Sequence, residues 1–264
     1  MSRKTVLGML MTAFVILEVA LLASCAKVSG KEKPSGPRVC VMALFDLSAS
    51  TKGQAIRGRY LDEYGAVLKD CQGGEALVAD AITDNPLAEG SFPIDQVLPS
   101  YDPLKVNEMD FQGALKRSRQ GVEDEAHEFV LKGTPTQHTD ILNALLLAEK
   151  IFNGDRFGKA PNKVLILFSD MRQDSADYNF DRLNLTPSLT QKILAQLKSK
   201  GQLPNLAGVK VWVAGAGVSE GTPLPANKIL AIQHFWLAYF KACGADLTSE
   251  RYAPALINFA LAPA

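Results

Sequence analysis

Residues Val39–Ser50 have the sequence VCVMALFDLSAS, and this stretch decides the fold of the chain. Its first six residues are continuously apolar, as expected for a parallel strand that is buried on both faces of its sheet. The strand is predicted to end at Asp46, and the hydroxyl residues Ser48, Ser50 and Thr51 that follow are suitable helix caps. The stretch therefore predicts a buried strand that leads through a polar turn into a helix.

Apolar runs and amphipathic segments alternate along the rest of the chain. The segment Asp84–Val106 holds four prolines and is predicted to be a long irregular loop with one edge strand at Phe92–Val97. The alternation predicts an α/β fold with a doubly wound, mainly parallel sheet and helices on both faces. The remaining strands are predicted at Ala76–Ile82, Val164–Phe168 and Val209–Val213, and helices at Ile56–Cys71, Met109–Leu131, Thr139–Ile151, Leu189–Leu197 and Ile229–Cys243.

The first 24 residues are predicted to be an export signal. Arg3 and Lys4 give a positive start, and the apolar run Val6–Leu17 is shorter than the roughly 20 residues of a membrane span. The stretch Leu22–Cys25 (LASC) resembles the bacterial lipobox, which implies that Cys25 carries a lipid and begins the mature chain. The alternatives are an ordinary signal peptide and an uncleaved anchor, each with an incidental cysteine.

Residues 25–38 are rich in Gly, Ser, Pro and Lys and are predicted to be a flexible tether before a single domain at 39–264. Ala26 stands where Gram-negative lipoproteins that avoid the outer membrane carry Asp, and this resemblance implies anchoring in the outer membrane, facing the periplasm. The chain has 28 basic and 28 acidic residues, a balance that argues against a nucleic-acid-binding surface.

Oxygen-bearing side chains follow the predicted strands at the edge where ligands bind in such sheets. Asp46, Ser48 and Ser50 come after the first strand, Thr139 starts a helix, and Asp170 follows the strand Val164–Phe168. Two carboxylates and three hydroxyls form a hard oxygen set that suits Mg²⁺ or Mn²⁺ rather than Zn²⁺. The sequence therefore predicts a metal site at this edge of the sheet.

These residues, in this order, resemble the metal-ion-dependent adhesion site of von Willebrand factor A-type domains, and the resemblance spans Val39 to about Cys243. It implies that the three hydroxyl residues ligate the ion and that the two aspartates contact it directly or through water. It also implies an open coordination position that an acidic side chain of a partner protein fills. Each residue taken alone has a simpler interpretation, since Asp and Ser at such turns often act only as helix caps.

Several residues near these positions have alternative interpretations. Thr134 and Thr136 are other candidates for the hydroxyl ligand, but only Thr139 directly precedes an apolar helical run. Asp140 is expected in the first turn of that helix, where the helix dipole favours an acid. His138 is either a solvated loop residue or faces a bound partner.

Three cysteines remain besides Cys25, at positions 40, 71 and 243. An oxidising periplasm allows one disulfide. The first and last helices are neighbours in the resembled fold, and this implies a bond between Cys71 and Cys243 with Cys40 as a buried free thiol. The alternative is that all three are reduced core residues.

Three functions are compatible with this set of residues. The first is a membrane-anchored module that binds a divalent metal and captures an acidic side chain of a partner protein. The second is a Mg²⁺-dependent phosphotransferase or hydrolase with Asp46 as the nucleophile, although Ser48 stands where such enzymes usually place a second aspartate. The third is a metal-free scaffold of an envelope complex. The segments Asp84–Val106 and Gly215–Pro225 are candidates for partner specificity.

Overall fold

The computed structural model describes residues 36–221 and 223–261. Within them, six strands form one sheet in the order β3-β2-β1-β4-β5-β6, in which only the β2–β3 pair is antiparallel. The strands are β1 (Val39–Asp46), β2 (Ala76–Ile82), β3 (Ile94–Val97), β4 (Asn162–Phe168), β5 (Val209–Ala214) and β6 (Tyr252–Ala253).

Helices cover both faces of the sheet. One face packs against α1 and α3, and the other against α4, α5 and α6. The helices are α1 (Gln54–Asp70), α2 (Pro86–Glu89), α3 (Glu108–Lys132), α4 (Ile141–Asn153), α5 (Pro187–Ser199) and α6 (Ala226–Ala242). The predicted fold class, a doubly wound α/β sheet, is confirmed.

The central strand shows why the apolar run decides the fold. All eight residues of β1 are buried, because its side chains alternate between two cores. Met42 and Leu44 belong to the core under α4, α5 and α6, whereas Val41 and Phe45 belong to the core under α1 and α3. A strand that is covered on one face only would alternate between apolar and polar residues.

The predicted helix caps differ from the observed ones. None of the hydroxyl residues after β1 caps α1, whose N-cap is Gly53 and has no side-chain cap. Thr139 does not cap α4 either, because Asp140 is the N-cap and accepts a hydrogen bond from the Asn143 backbone N–H at 3.2 Å. The hydroxyl residues that the sequence pattern predicted as caps lie instead in the polar turns that precede these helices.

Two segments without a firm sequence prediction acquire a defined structure. The proline-rich loop 84–106 contains the short helix α2 as well as the predicted edge strand, which is observed at Ile94–Val97. The tail forms a 3-10 turn at Ser249–Arg251 and the short strand β6. Beyond β6, the apolar side chains Leu256, Phe259 and Leu261 pack against the core under α1 and α3.

The predicted disulfide is wrong. Cys71 and Cys243 are free thiols, and Cys40 is a third free and buried thiol. Cys71 belongs to the core under α1 and α3, whereas Cys243 belongs to the core under α4, α5 and α6. The sheet therefore separates the two cysteines, because the first and last helices pack on its opposite faces.

The predicted export signal and Cys25 lie outside the described residues, as does the tether up to residue 35. A compact unit begins at Gly36. None of the helices in the described part of the chain has the length and hydropathy needed to cross a bilayer.

Candidate metal centre

The five predicted site residues belong to three loops at one edge of the sheet. β1 pairs with β2 on one side and with β4 on the other, so the crevice beyond the carboxyl ends of β1 and β4 lies at the topological switch point. Asp46 ends β1, and Asp170 comes two residues after the end of β4. The loop that precedes α4 and contains Thr139 is bonded to both of these loops.

Asp46 is fully buried and is fixed by the turn that follows it. Its Oδ1 accepts a hydrogen bond from the Ser48 backbone N–H at 3.0 Å, and its Oδ2 accepts one from the Ser169 hydroxyl at 2.7 Å. The Thr51 hydroxyl donates to the Asp46 carbonyl at 2.6 Å. Burial raises the pKa of the Asp46 carboxyl, and the hydrogen bonds from Ser169, Ser48 and Thr51 oppose this rise.

The two serine hydroxyls are arranged as a pair. Ser48 Oγ lies 3.1 Å from Ser50 Oγ, and Ser48 is 2% exposed. Adjacent ligands around an octahedral Mg²⁺, each about 2.1 Å from the ion, are separated by about 3.0 Å. The spacing of the two hydroxyls therefore fits neighbouring positions on one such ion.

Asp170 has a buried oxygen with no partner. Its Oδ1 accepts a hydrogen bond from the Arg172 backbone N–H at 3.0 Å, whereas its Oδ2 has no hydrogen-bond partner among the described residues. Burial raises the pKa of the Asp170 carboxyl to about 7, and the negative charge of Asp46 adds to this rise. The hydrogen bond from the Arg172 backbone and the nearby Ser50 hydroxyl, which forms no hydrogen bond to Oδ2, act in the opposite direction.

Thr139 is positioned by a loop that contacts both halves of the site. The backbone of Thr136 pairs with Leu47 and Ala49, with the Ala49 N–H donating to the Thr136 carbonyl at 2.9 Å. Thr139 exchanges two backbone hydrogen bonds with Asp174, at 2.9 and 2.8 Å. Thr139 is 3% exposed, so its side chain lies inside the loop cluster.

The loop after β4 is held in an unusual conformation. Met171 is buried and has a φ of 65°, in the left-handed region that non-glycine residues rarely adopt. Its N–H donates to the Ser169 hydroxyl at 2.9 Å, and its carbonyl accepts from the Trp236 indole N–H at 2.9 Å. Two side chains from different parts of the chain thus fix the backbone that presents Asp170.

The remaining acids near the site have other partners. Asp140 accepts hydrogen bonds from Asn143 and from the Gln173 side chain, at 2.6 and 3.0 Å, and this engagement agrees with a role in starting α4. His138 is exposed, and its Nδ1 lies 3.0 Å from Asp174 Oδ2. A cleft of about 740 Å³ adjoins this pair and is also lined by Asp84, Asp177 and Arg182.

Three residues that shape the site were not predicted as parts of it. Ser169 and Thr51 hold Asp46, and Gln173 connects the loop after β4 to the start of α4. For Ser169, its position directly before Asp170 at the strand end was an available signal. Gln173 gave no signal, because its partners lie about 30 residues earlier in the chain.

The donor set fits a hard divalent cation. Asp46 and Asp170 are buried and close enough for each charge to act on the other, and neither forms a salt bridge within the described residues. No group of three or more His, Cys, Asp or Glu side chains in the same part of the chain is placed to hold a metal. The donor set combines two carboxylates with hydroxyls, and Asp170 Oδ2 has no partner among the described residues, so the chemistry of the set suits a hard cation.

The fold and the site define a doubly wound α/β domain with an oxygen-lined crevice at its switch point. Neither a protein-family model nor a curated protein matches the sequence. Solved structures similar to this chain include proximal thread matrix protein 1 from the mussel byssus, with 13% identity over 79% of this chain and 49% of that chain and a TM-score of 0.39.

Two further solved structures are similar. The pilus adhesin SpaC from Lactobacillus rhamnosus GG has 13% identity, covers 82% of this chain and 28% of its own, and gives a TM-score of 0.44. A von Willebrand factor type A protein from Catenulispora acidiphila has 14% identity over 79% of this chain and 43% of that chain, with a TM-score of 0.34. The chain thus spans less than half the length of each of these three chains. Likenesses of this size carry no conclusion about activity or ligands.

Proposed function

We propose that this protein is a divalent-metal-dependent binding module that captures an acidic side chain of a partner protein. The observation that carries the proposal is the buried Asp170 Oδ2, which has no hydrogen-bond partner among the described residues and belongs to the same loop cluster as two paired hydroxyls and Asp46. An unsatisfied buried acceptor costs about 1–3 kcal/mol, and more for a charged group, and a bound cation removes that cost.

Each residue has a defined part in this function. Ser48 and Ser50 offer two neighbouring hydroxyl oxygens, Thr139 a third, and Asp170 a carboxylate oxygen. Asp46, whose carboxylate oxygens already accept hydrogen bonds, places its charge next to the ion. The bound Mg²⁺ or Mn²⁺ supplies a positive centre with an open position. Because Asp170 is the one carboxylate that would contact the ion directly, the ion keeps an attraction for a further carboxylate at its open position.

An enzymatic function that uses Asp46 as a nucleophile is less well supported. The Asp46 side chain is 0% exposed, and both of its oxygens accept hydrogen bonds from inside the protein. A nucleophile has to reach the substrate, and this carboxylate is turned away from solvent. A generic phosphatase substrate distinguishes the two functions, because the binding function predicts no Mg²⁺-dependent turnover.

Calorimetric titration of Mg²⁺ and Mn²⁺ into the full-length protein in detergent tests the proposal. We expect saturable binding to the parent, its loss in Asp46→Ala and Asp170→Ala, and its retention in Asp177→Ala, which removes an exposed acid of the neighbouring cleft. Absence of binding to the parent at millimolar metal, together with an unchanged melting temperature, would contradict the proposed function.

We further propose that the module is anchored to the bacterial envelope by a lipid on Cys25, with residues 26–38 as its tether. The support is the stretch LASC at 22–25 after a short apolar run. Cys25→Ser is expected to abolish incorporation of labelled palmitate into the protein and to reduce the share of the protein that is recovered with the membrane fraction. Unchanged labelling in this variant would contradict the anchor, while Cys40→Ser serves as the matched cysteine control.

A further inference from the structure

The loop after β5, Gly215–Gly221, connects the two halves of the candidate metal centre. The Gly217 N–H donates to the Asp170 carbonyl at 3.2 Å, and the Glu220 N–H donates to the Ser50 carbonyl at 2.7 Å. A further bond joins the Ser219 hydroxyl to the Arg172 guanidinium at 3.0 Å. This β5 loop therefore forms another wall of the site, directly bonded to two of the residues proposed to hold the metal.

The Glu220 side chain packs against Gly53, the residue that starts α1. A Cβ added at Gly53 would lie 1.8 Å from Glu220 Oε1 and 2.7 Å from its Cδ. Gly53 has φ −64° and ψ 136°, which any residue adopts, so its backbone does not require glycine. The missing side chain at Gly53 instead makes room for the Glu220 carboxylate.

The surroundings of Gly53 favour a negative charge. Gly53 is the N-cap of α1, which has neither a side-chain cap nor an acidic residue in its first turn, so the positive end of the helix dipole is uncompensated from within the helix. Arg57, one turn further along, is within electrostatic range of both Asp46 and Glu220. The Glu220 carboxylate thus lies beside the start of α1, near the guanidinium that also acts on Asp46, and the Glu220 backbone is bonded to Ser50.

We infer that Glu220 is an internal carboxylate that competes with the partner's carboxylate for the open position of the bound metal. This inference rests on the proposed function. Glu220 is exposed and has the same chemical group as the ligand that the site is proposed to capture. Its loop turns at Gly215, Gly217 and Gly221, all with positive φ, a conformation that glycine adopts readily, and the exposed Glu220 side chain can leave Gly53 by rotation about its own χ bonds.

Two variants change this competition in opposite directions. Glu220→Gln abolishes the charge, whereas Gly53→Ala keeps the charge and fills the place beside α1 where the carboxylate lies, so the carboxylate is free to reach the metal. Gly58→Ala is the control for the second change, because it lies on the same helix with no atom within 4 Å of an added Cβ. Glu108→Gln is the control for the first, since Glu108 is exposed and begins the 25-residue helix α3, whose other end meets the site loops.

The test measures binding of a fluorescent Gly-Glu-Gly peptide to the Mg²⁺-saturated full-length protein, with Gly-Gln-Gly as the neutral control. If Glu220 occupies the open position about 90% of the time, its removal raises the apparent affinity for the peptide about tenfold. We expect this gain in Glu220→Gln, a lower apparent affinity than that of the parent in Gly53→Ala, and no change in either control variant. Mg²⁺ affinity is expected to fall in Glu220→Gln, which loses an anionic neighbour.

An affinity of Glu220→Gln equal to or below that of the parent would overturn the inference and leave Glu220 as a structural brace, and so would a gain in Gly53→Ala. A peptide that binds no variant despite bound Mg²⁺ would overturn it as well. The proposed function fails separately, and this inference with it, if the parent takes up no metal in calorimetry.

Discussion

The buried pair Asp46 and Asp170 stores repulsion in the metal-free protein. Burial raises the cost of ionising both carboxylates, and the charge of Asp46 adds to the rise in the pKa of Asp170. Buried carboxylates without a cation lower the free energy of unfolding but can bind a metal. A substitution that removes one of the two charges should therefore raise stability and abolish metal binding.

We expect Asp170→Asn to be more stable than the parent without metal and unable to respond to metal. The neutral amide is easier to bury beside Asp46, and its oxygen still accepts from the Arg172 backbone, so the gain is about 1 kcal/mol. Urea unfolding in EDTA and in 10-fold excess Mg²⁺ measures both effects. Asp177→Asn is the exposed control, and a Mg²⁺-induced stabilisation that persists in Asp170→Asn would contradict the assignment.

The three free cysteines give a pH dependence with a defined sign. Burial raises the pKa of the Cys40, Cys71 and Cys243 thiols from 9.0 to about 12. The folded protein therefore keeps these protons at pH values where the unfolded chain has lost them. This contribution to stability is fully present below about pH 9 and is lost as the pH rises toward 12.

The urea midpoint of the parent is expected to fall between pH 8 and pH 10 by more than that of a variant with all three cysteines replaced by alanine. At pH 10, the loss of the proton from each thiol in the unfolded chain lowers the free energy of unfolding by about 1 kcal/mol. Equal pH dependence in the two proteins would contradict the buried-thiol account, and a mass that is two hydrogens short under non-reducing conditions would restore the disulfide.

At the scale of secondary-structure elements, Arg57 joins the start of α1 to the end of α3. Its guanidinium donates to the carbonyls of Val130 and Gly133 at 2.9 Å each and to the Leu47 carbonyl at 3.1 Å, and the residue is 3% exposed. Arg57 therefore holds the turn after β1 against the C-terminal end of α3. No other charged side chain in the described residues bonds these three carbonyls.

Replacing Arg57 by methionine removes the guanidinium donor from these three carbonyls, of which, within the described residues, only the Leu47 carbonyl keeps a bond from the Thr136 N–H, at 3.3 Å. We expect a loss of about 3 kcal/mol in the free energy of unfolding and weaker metal binding, because the turn that carries Ser48 and Ser50 loses its support. Lys69→Met, on the exposed side of the same helix, should change neither quantity. Urea unfolding and calorimetry measure the two effects, and a variant as stable as the parent would refute the bracing role.

The elements were predictable where one local pattern determines them. Continuous apolar runs mark β1, β4 and β5 because both faces of these strands are covered, and helix α4 has a clear apolar face. The caps were predicted at the wrong residues, because Thr51 bonds back to the Asp46 carbonyl and Asp140, one residue after Thr139, accepts the capping bond from the Asn143 N–H. The candidate site could be selected from strand ends, but the supporting bonds from Ser169, Gln173 and Glu220 depend on tertiary contacts.

At the scale of the whole molecule, the face on which each helix packs was not encoded in any local pattern. The order of the strands and the direction of each crossover decide it, and the incorrect disulfide between Cys71 and Cys243 followed from this gap. The same applies to the tail, whose few apolar residues have no periodicity. Its position is determined by the surface that remains open beside β5.

The tail covers that surface through Phe259. Its ring lies edge-on to Trp212 with centroids 5.3 Å apart, and Trp212 is 5% exposed. We expect Phe259→Ala to lower the free energy of unfolding by about 1–2 kcal/mol and to shift tryptophan fluorescence to the red. Ile257→Ala, at a side chain that is 55% exposed in the same tail, is the control. An unchanged spectrum and stability would show that the tail does not protect this face.

The proposed function requires that one divalent cation binds between the loops after β1 and β4. A crystal structure of the protein with Mn²⁺, with anomalous scattering used to locate the metal, tests this binding. We expect one strong peak about 2–2.3 Å from Ser48 Oγ, Ser50 Oγ and Asp170 Oδ2. A crevice without a peak at saturating Mn²⁺, or a peak held by other residues only, would contradict it.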